Sequence, residues 1–141
     1  MAWGAGMKTR LLWADADSGL TEVFARFFGQ FDFDVRTTST AHDCVLELRD
    51  FQPEVAVLDV DLAWGGARGL LEELCDNGSV VRPRVVLVTG GEQAEVLAVQ
   101  TGQPVAHCLP KPFRLTTVLD RICASLDASR NLDADAACCD A

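Results

Sequence analysis

Short, nearly continuous apolar runs alternate along the chain with segments in which apolar residues recur at helical spacing. Leu11-Leu12-Trp13-Ala14 reads as a buried strand ending at Asp15. Leu20, Val23, Phe24 and Phe27 then fall at i, i+3, i+4 and i+7. This predicts a helix with that face inward, and Gly29 follows as a stop. Phe33 to Thr37 alternates and reads as a strand. Thr40-x-x-Asp43 resembles a capping box, and Ala41, Cys44, Val45 and Leu48 make one face of the next helix. After Pro53, Val55-Ala56-Val57-Leu58-Asp59 is an apolar strand with an acid at its C-terminal end. Gly65, Gly66 and Gly69 mark a loop, and Leu70, Leu71 and Leu74 suggest a short helix ending near Gly78. Val85 to Val88 is the most strand-like segment, closed by Thr89-Gly90-Gly91. A helix is predicted over Glu92–Gln100 and a last strand over Val105–Leu109. Leu115, Val118, Leu119, Ile122 and Leu126 give an amphipathic final helix, and from Ala128 onward the pattern predicts a polar, disordered tail.

The result is five strands and five helices in strict alternation. Strands apolar on both faces point to an α/β fold, a parallel sheet with helices on each side. The chain divides into an N-terminal tail (1–7), one domain (8–127) and a flexible C-terminal tail (128–141). Met7 offers a second start site.

Composition narrows the function classes. There are 12 basic and 21 acidic residues, a formal net charge of −9. That argues against a nucleic-acid surface, which needs clustered Lys and Arg. No apolar run reaches the ~20 residues of a bilayer span, and Met1–Arg10 lacks the apolar stretch of a signal peptide, so a cytoplasmic location and no membrane partner are expected. Cys44, Cys75, Cys108 and Cys123 lie inside apolar patterns without C-x-x-C spacing and read as reduced, buried small hydrophobes. Cys138-Cys139 falls in the predicted tail. His42 reads as exposed, and His107 as a structural residue near the last strand.

In open α/β sheets, polar groups at the C-terminal ends of strands gather in the crevice where ligands bind. Here those positions hold Asp15 (with Asp17), Asp59, Thr89 and Lys111. A carboxylate cluster can hold a divalent cation, and a carboxylate can also accept a phosphoryl group. A cation, a lysine and a hydroxyl would then hold the three phosphoryl oxygens.

Four segments, in order and in spacing, resemble response-regulator receiver domains of two-component signalling. They are the acidic first turn Leu11 to Asp17, the strand Pro53 to Asp59, the strand Val85 to Gly90, and the turn Lys111-Pro112-Phe113. The resemblance covers residues from about Lys8 to Leu126. It implies a flavodoxin-like (βα)5 three-layer sandwich with strand order 2-1-3-4-5. It implies phosphorylation of Asp59 by a histidine kinase or phosphotransfer protein, with Lys111 contacting the phosphoryl group and Thr89 swinging toward it. It also implies a cis Lys111–Pro112 bond and Mg2+ as cofactor. The metal ligands would be Asp15, Asp59 and Asp61, with weak affinity because Ala16 replaces the usual second acid. Thr89 and Cys108 fill the switch positions, where Cys108 replaces an aromatic. The loop after Asp59 is about two residues longer than in the resembled family, and Ala63 stands where that family has proline. Trp64 in this loop is either a partner-binding handle or a lid.

With no output domain in the sequence, the expected function is a stand-alone, non-enzymatic receiver that signals through a downstream protein. A homodimer through the face of the fourth predicted helix, fifth strand and last helix is one such contact. The alternative is a pseudo-receiver, a phosphorylation-independent protein-binding or dimerisation module, which Ala16 and Cys108 favour. An enzyme on the same fold is disfavoured, since the chain has no G-x-G-x-x-G, G-x-S-x-G or P-loop pattern.

Overall fold

The computed structural model describes residues 8–60, 83–90 and 106–139. Five strands, β1 (Thr9–Ala14), β2 (Phe33–Thr38), β3 (Val55–Asp59), β4 (Val85–Gly90) and β5 (Ala106–Pro110), form one sheet in the order β2-β1-β3-β4-β5. Every neighbouring pair is parallel. The described helices are α1 (Ser18–Phe28), α2 (Ala41–Asp50) and α3 (Leu115–Cys139). The helices predicted around Leu70–Leu74 and over Glu92–Gln100 lie outside the described residues, as do the N-terminal tail and Trp64. Strand order and the placement of helices on both faces make this the flavodoxin-like α/β fold expected from the sequence.

The apolar strands are continuous because both faces of the sheet are covered. Alternate residues point to opposite sides. Leu12, Ala14, Ala56, Leu58 and Val86 pack with Ala41, Cys44 and Leu48 of α2. Leu11, Trp13, Val55, Val57, Val85 and Leu87 pack with Phe24 and Phe28 of α1 and with Val118, Ile122 and Leu126 of α3. All five residues of β3 are buried. A strand in this position has no solvent face on which to show polar alternation.

The caps set where helices begin. Asp17 accepts hydrogen bonds from the Gly19 and Leu20 amides at 3.0 and 3.3 Å and starts α1. Thr40 Oγ1 accepts from the Asp43 amide at 3.1 Å and starts α2. Each cap satisfies amides that the first helical turn leaves without a partner.

Four sequence expectations need correction. Of the predicted inward face of α1, Phe24 is buried and Phe27 packs half-buried against the core, whereas Leu20 is 42% exposed and Val23 51% exposed; Thr21 and Phe28 complete the inward row. Two helical phases are compatible with a segment this rich in phenylalanine. The realised phase stacks Phe24 on Trp13 at a centroid distance of 4.0 Å and sets Phe28 beside it at 5.4 Å. Second, the backbone stays helical from Leu115 through Cys139, so regular structure does not end near Leu126. The added length is rich in alanine, the strongest helix former, which outweighs its polarity. Third, Cys123 is exposed, on the outer side of the row formed by Val118, Ile122 and Leu126. Fourth, β1 begins at Thr9 and β2 runs through Thr38, each longer than the apolar pattern alone indicates. Cys44 behaves as expected: burial pushes its thiol up to about 12, so it packs as an inert small hydrophobe. His42 is exposed. Among the described residues no helix is long and apolar enough to cross a membrane.

Candidate functional site

Parallel pairing delivers the polar residues to one edge. Ala14 pairs with Leu58, so Asp15 follows β1 beside Asp59 at the end of β3. Asp59 pairs directly with Thr89 on β4, and Gly90 pairs with Pro110 on β5, which Lys111 follows. Backbone hydrogen bonds tie these ends together: Lys111 N donates to Gly90 O at 3.1 Å, and Val60 N donates to Thr89 O at 2.9 Å. Gly90 has φ 144°, a conformation that side chains strongly disfavour, so glycine is required where β4 leaves the site.

The centre of the site is one ammonium between two carboxylates. Lys111 Nζ lies 3.2 Å from Asp15 Oδ2 and 3.2 Å from Asp59 Oδ2. Both aspartates are buried, while the lysine side chain is 36% exposed. Asp15 Oδ1 also accepts from the Asp17 amide at 3.0 Å. Loss of solvent acts most strongly on Lys111 and lowers its pKa, but attraction to Asp15 and the hydrogen bond and charge of Asp59 together outweigh it. The net result is a raised pKa, so the lysine is charged at neutral pH. Two carboxylates and one ammonium leave the cluster with one negative charge in excess.

Thr89 is 1% exposed, and its buried Oγ1 has no hydrogen-bond partner among the described residues. A buried hydroxyl without a partner costs roughly 1–3 kcal/mol. It pairs with Asp59 across the sheet, so this hydroxyl lies at the same strand edge as the carboxylates.

The structure therefore brings together Asp15, Asp59, Thr89 and Lys111. Asp61 lies outside the described residues. Cys108 pairs with Val88, not with Thr89, and packs half-buried on the α2 side of the sheet. The Lys111–Pro112 bond is cis, as expected. The amide of Asp17 holding Asp15 was not legible from the sequence, because a backbone donor carries no residue signature.

Mg2+ takes six oxygen ligands in near-octahedral geometry. Asp15 and Asp59 fit as two of them. Ala16 has no oxygen in its side chain, and Asp17 is committed to capping α1. Among the described residues no cluster of three or more His, Cys, Asp or Glu is arranged to hold a metal ion.

No protein-family model matches the sequence. No curated protein matches it either. Solved structures do match the fold. A response-regulator signal receiver domain from Bermanella marisrubri is 24% identical with a TM-score of 0.74, covering 84% of this chain and 98% of that one. A CheY-like receiver domain protein from Methanospirillum hungatei JF-1 is 18% identical with a TM-score of 0.74, covering 88% and 98%. NtrX from Brucella abortus is 19% identical with a TM-score of 0.75, and there the match covers 92% of this chain but 30% of that longer one. The chain has the receiver-domain fold.

Proposed function

We propose that the chain is a signal receiver that accepts a phosphoryl group on Asp59 from a phosphohistidine of a histidine kinase or phosphotransfer protein. The observation that carries this reading is Lys111 Nζ at 3.2 Å from both Asp15 and Asp59, at the strand edge where Thr89 faces Asp59. In the transfer, an Asp59 carboxylate oxygen attacks phosphorus and the phosphorus–nitrogen bond breaks. The departing imidazole nitrogen keeps the electron pair. Lys111 leaves one carboxylate to pair with the new phosphoryl oxygens, and the Thr89 hydroxyl donates to another. A divalent cation held by Asp15, Asp59, Asp61 and water would neutralise charge on the transferred group, with weak affinity because Ala16 stands where a further acid would ligate it.

Signalling through a downstream protein, a non-enzymatic role, a cytoplasmic location and a receiver spanning residues 8–127 belong to the same proposal. The homodimer face expected from the sequence includes residues 92–100, which lie outside the described part.

Ala16 and the capping role of Asp17 support a second reading, a pseudo-receiver that binds partners without phosphorylation. Treatment with acetyl phosphate, with and without Mg2+, separates the two by intact mass. A magnesium-dependent gain of one phosphoryl group, lost in Asp59→Ala, supports the receiver. An unchanged mass at millimolar Mg2+ supports the second reading.

A further inference from the structure

The turn that carries Lys111 is anchored in the aromatic cluster under α1. Phe113 stands two residues beyond Lys111, and its ring lies 6.2 Å from Trp13 and 6.3 Å from Phe24. Trp13 is fully buried, stands two residues before Asp15 on β1, and stacks on Phe24 at 4.0 Å. The site thus reaches α1 from two directions. One runs from Asp15 through the Asp17 amide to the cap of the helix. The other runs from Lys111 through the Phe113 ring to Phe24, in the middle of the same helix. On the opposite side of the sheet, Cys108 offers no aromatic ring for Thr89 to move.

We infer that Phe113 is a positioning residue for Lys111, and that it couples the ion pairing of Lys111 at the site to the packing of Trp13 and Phe24 beneath α1. The Lys111 ammonium sits equally on two carboxylates, so a change at Asp59 alters the force on one side of it. The turn between Lys111 and Phe113 includes Pro112, whose ring restricts φ, so the turn has little freedom to absorb that movement. The Phe113 ring is only half-buried and can shift, whereas Trp13 and Phe24 are buried and must repack when it does. Coupling is reciprocal: packing at Phe113 sets where Lys111 rests, as Lys111 sets where Phe113 rests. The physiological trigger rests on the reading of Asp59 as phosphoacceptor; the mechanical link does not.

Trp13 is its own reporter. Its buried indole N–H has no hydrogen-bond partner among the described residues, so its emission responds to the rings packed around it. The test uses the full chain with Trp3→Phe and Trp64→Phe, leaving Trp13 as the single tryptophan. Asp59→Asn removes one charge from Lys111 without changing side-chain size. The expected result is a change in Trp13 emission on Asp59→Asn that disappears in a Phe113→Leu background and survives in Phe113→Tyr, which keeps the ring. Far-ultraviolet circular dichroism checks that each variant folds, and Phe113→Met replaces Phe113→Leu if the latter does not. An Asp59→Asn change of the same size with and without the Phe113 ring would overturn the coupling, as would no change at all. Acetyl phosphate, read by intact mass and emission together, adds the trigger. A mass gain with altered emission supports the inference, and a mass gain with unchanged emission overturns it. No mass gain sinks the phosphoacceptor reading and leaves the Asp59→Asn comparison to decide the coupling.

Discussion

The two faces of the sheet are built from different materials. On the α2 side, the core cluster is aliphatic or small: Ala14, Ala41, Cys44, Ala56 and their leucine and valine neighbours; Phe51, the C-cap of α2, is buried outside that cluster beneath Arg36. On the α1 and α3 side, Trp13, Phe24, Phe28 and Phe33 form a run of touching rings that Phe113 joins from the site. Large rings fill this layer and share neighbours, so a displacement of one is felt by the next. The aromatic face is thus both the heavier contributor to stability and the one mechanically joined to Lys111.

The largest test of that contrast is truncation. Trp13→Ala should cost about 3–5 kcal/mol, whereas Cys44→Ala on the other face should cost about 1 kcal/mol. Urea unfolding midpoints measure both, and equal losses would erase the distinction. Next comes the site. Lys111→Met removes the cation that the proposed function places against the incoming phosphoryl group and should slow phosphorylation about 100-fold, the usual scale for losing one electrostatic donor. Quench-flow or timed mass spectrometry with acetyl phosphate gives the rate, and an unaltered rate would remove Lys111 from the chemistry.

Thr89→Val should act in opposite directions on two states. The buried Thr89 hydroxyl lacks a partner among the described residues, so an isosteric valine should stabilise the unphosphorylated protein by up to about 1 kcal/mol. The same change should shorten the lifetime of the aspartyl phosphate by removing a donor to it. Loss of stability on Thr89→Val would mean that the hydroxyl has a partner in the resting state.

The smallest expected effect is in pH. The pKa of Lys111 is raised above its ordinary 10.5 in the folded protein. Its ion pairs therefore stabilise the fold fully below about 10.5 and lose that contribution as pH rises through the raised value. Because the lysine is about a third exposed, solvent screens the gain and keeps it small. The stability difference between wild type and Lys111→Met should be constant from neutral pH to about 10 and shrink above it. A difference that grows with alkalinity would contradict the assignment.

Much of this was legible in the sequence, for identifiable reasons. Strand positions and the gathering of Asp15, Asp59, Thr89 and Lys111 follow from continuous apolar runs ending in polar residues, a pattern that parallel sheets produce by necessity. The phase of α1 was not legible, because Leu20 and Val23 match helical spacing as well as Thr21, Phe24 and Phe28 do. Phe24 belongs to both rows, so the contacts of Phe28 with Trp13 and Phe33, which join distant parts of the chain, decide between them. The helix beyond Leu126 was missed because polarity suggested a tail where alanine favours helix. The role of Phe113 depends on ring contacts across three elements, which no local pattern encodes.

The central claim is that Asp59 accepts a phosphoryl group. Phosphorus NMR of the protein after treatment with phosphoramidate, a donor with a phosphorus–nitrogen bond, tests it most directly. An acyl-phosphate resonance that requires Mg2+, is present in wild type and is absent from Asp59→Asn is the predicted result. A spectrum without that resonance, or one in which Asp59→Asn retains it, would contradict the account.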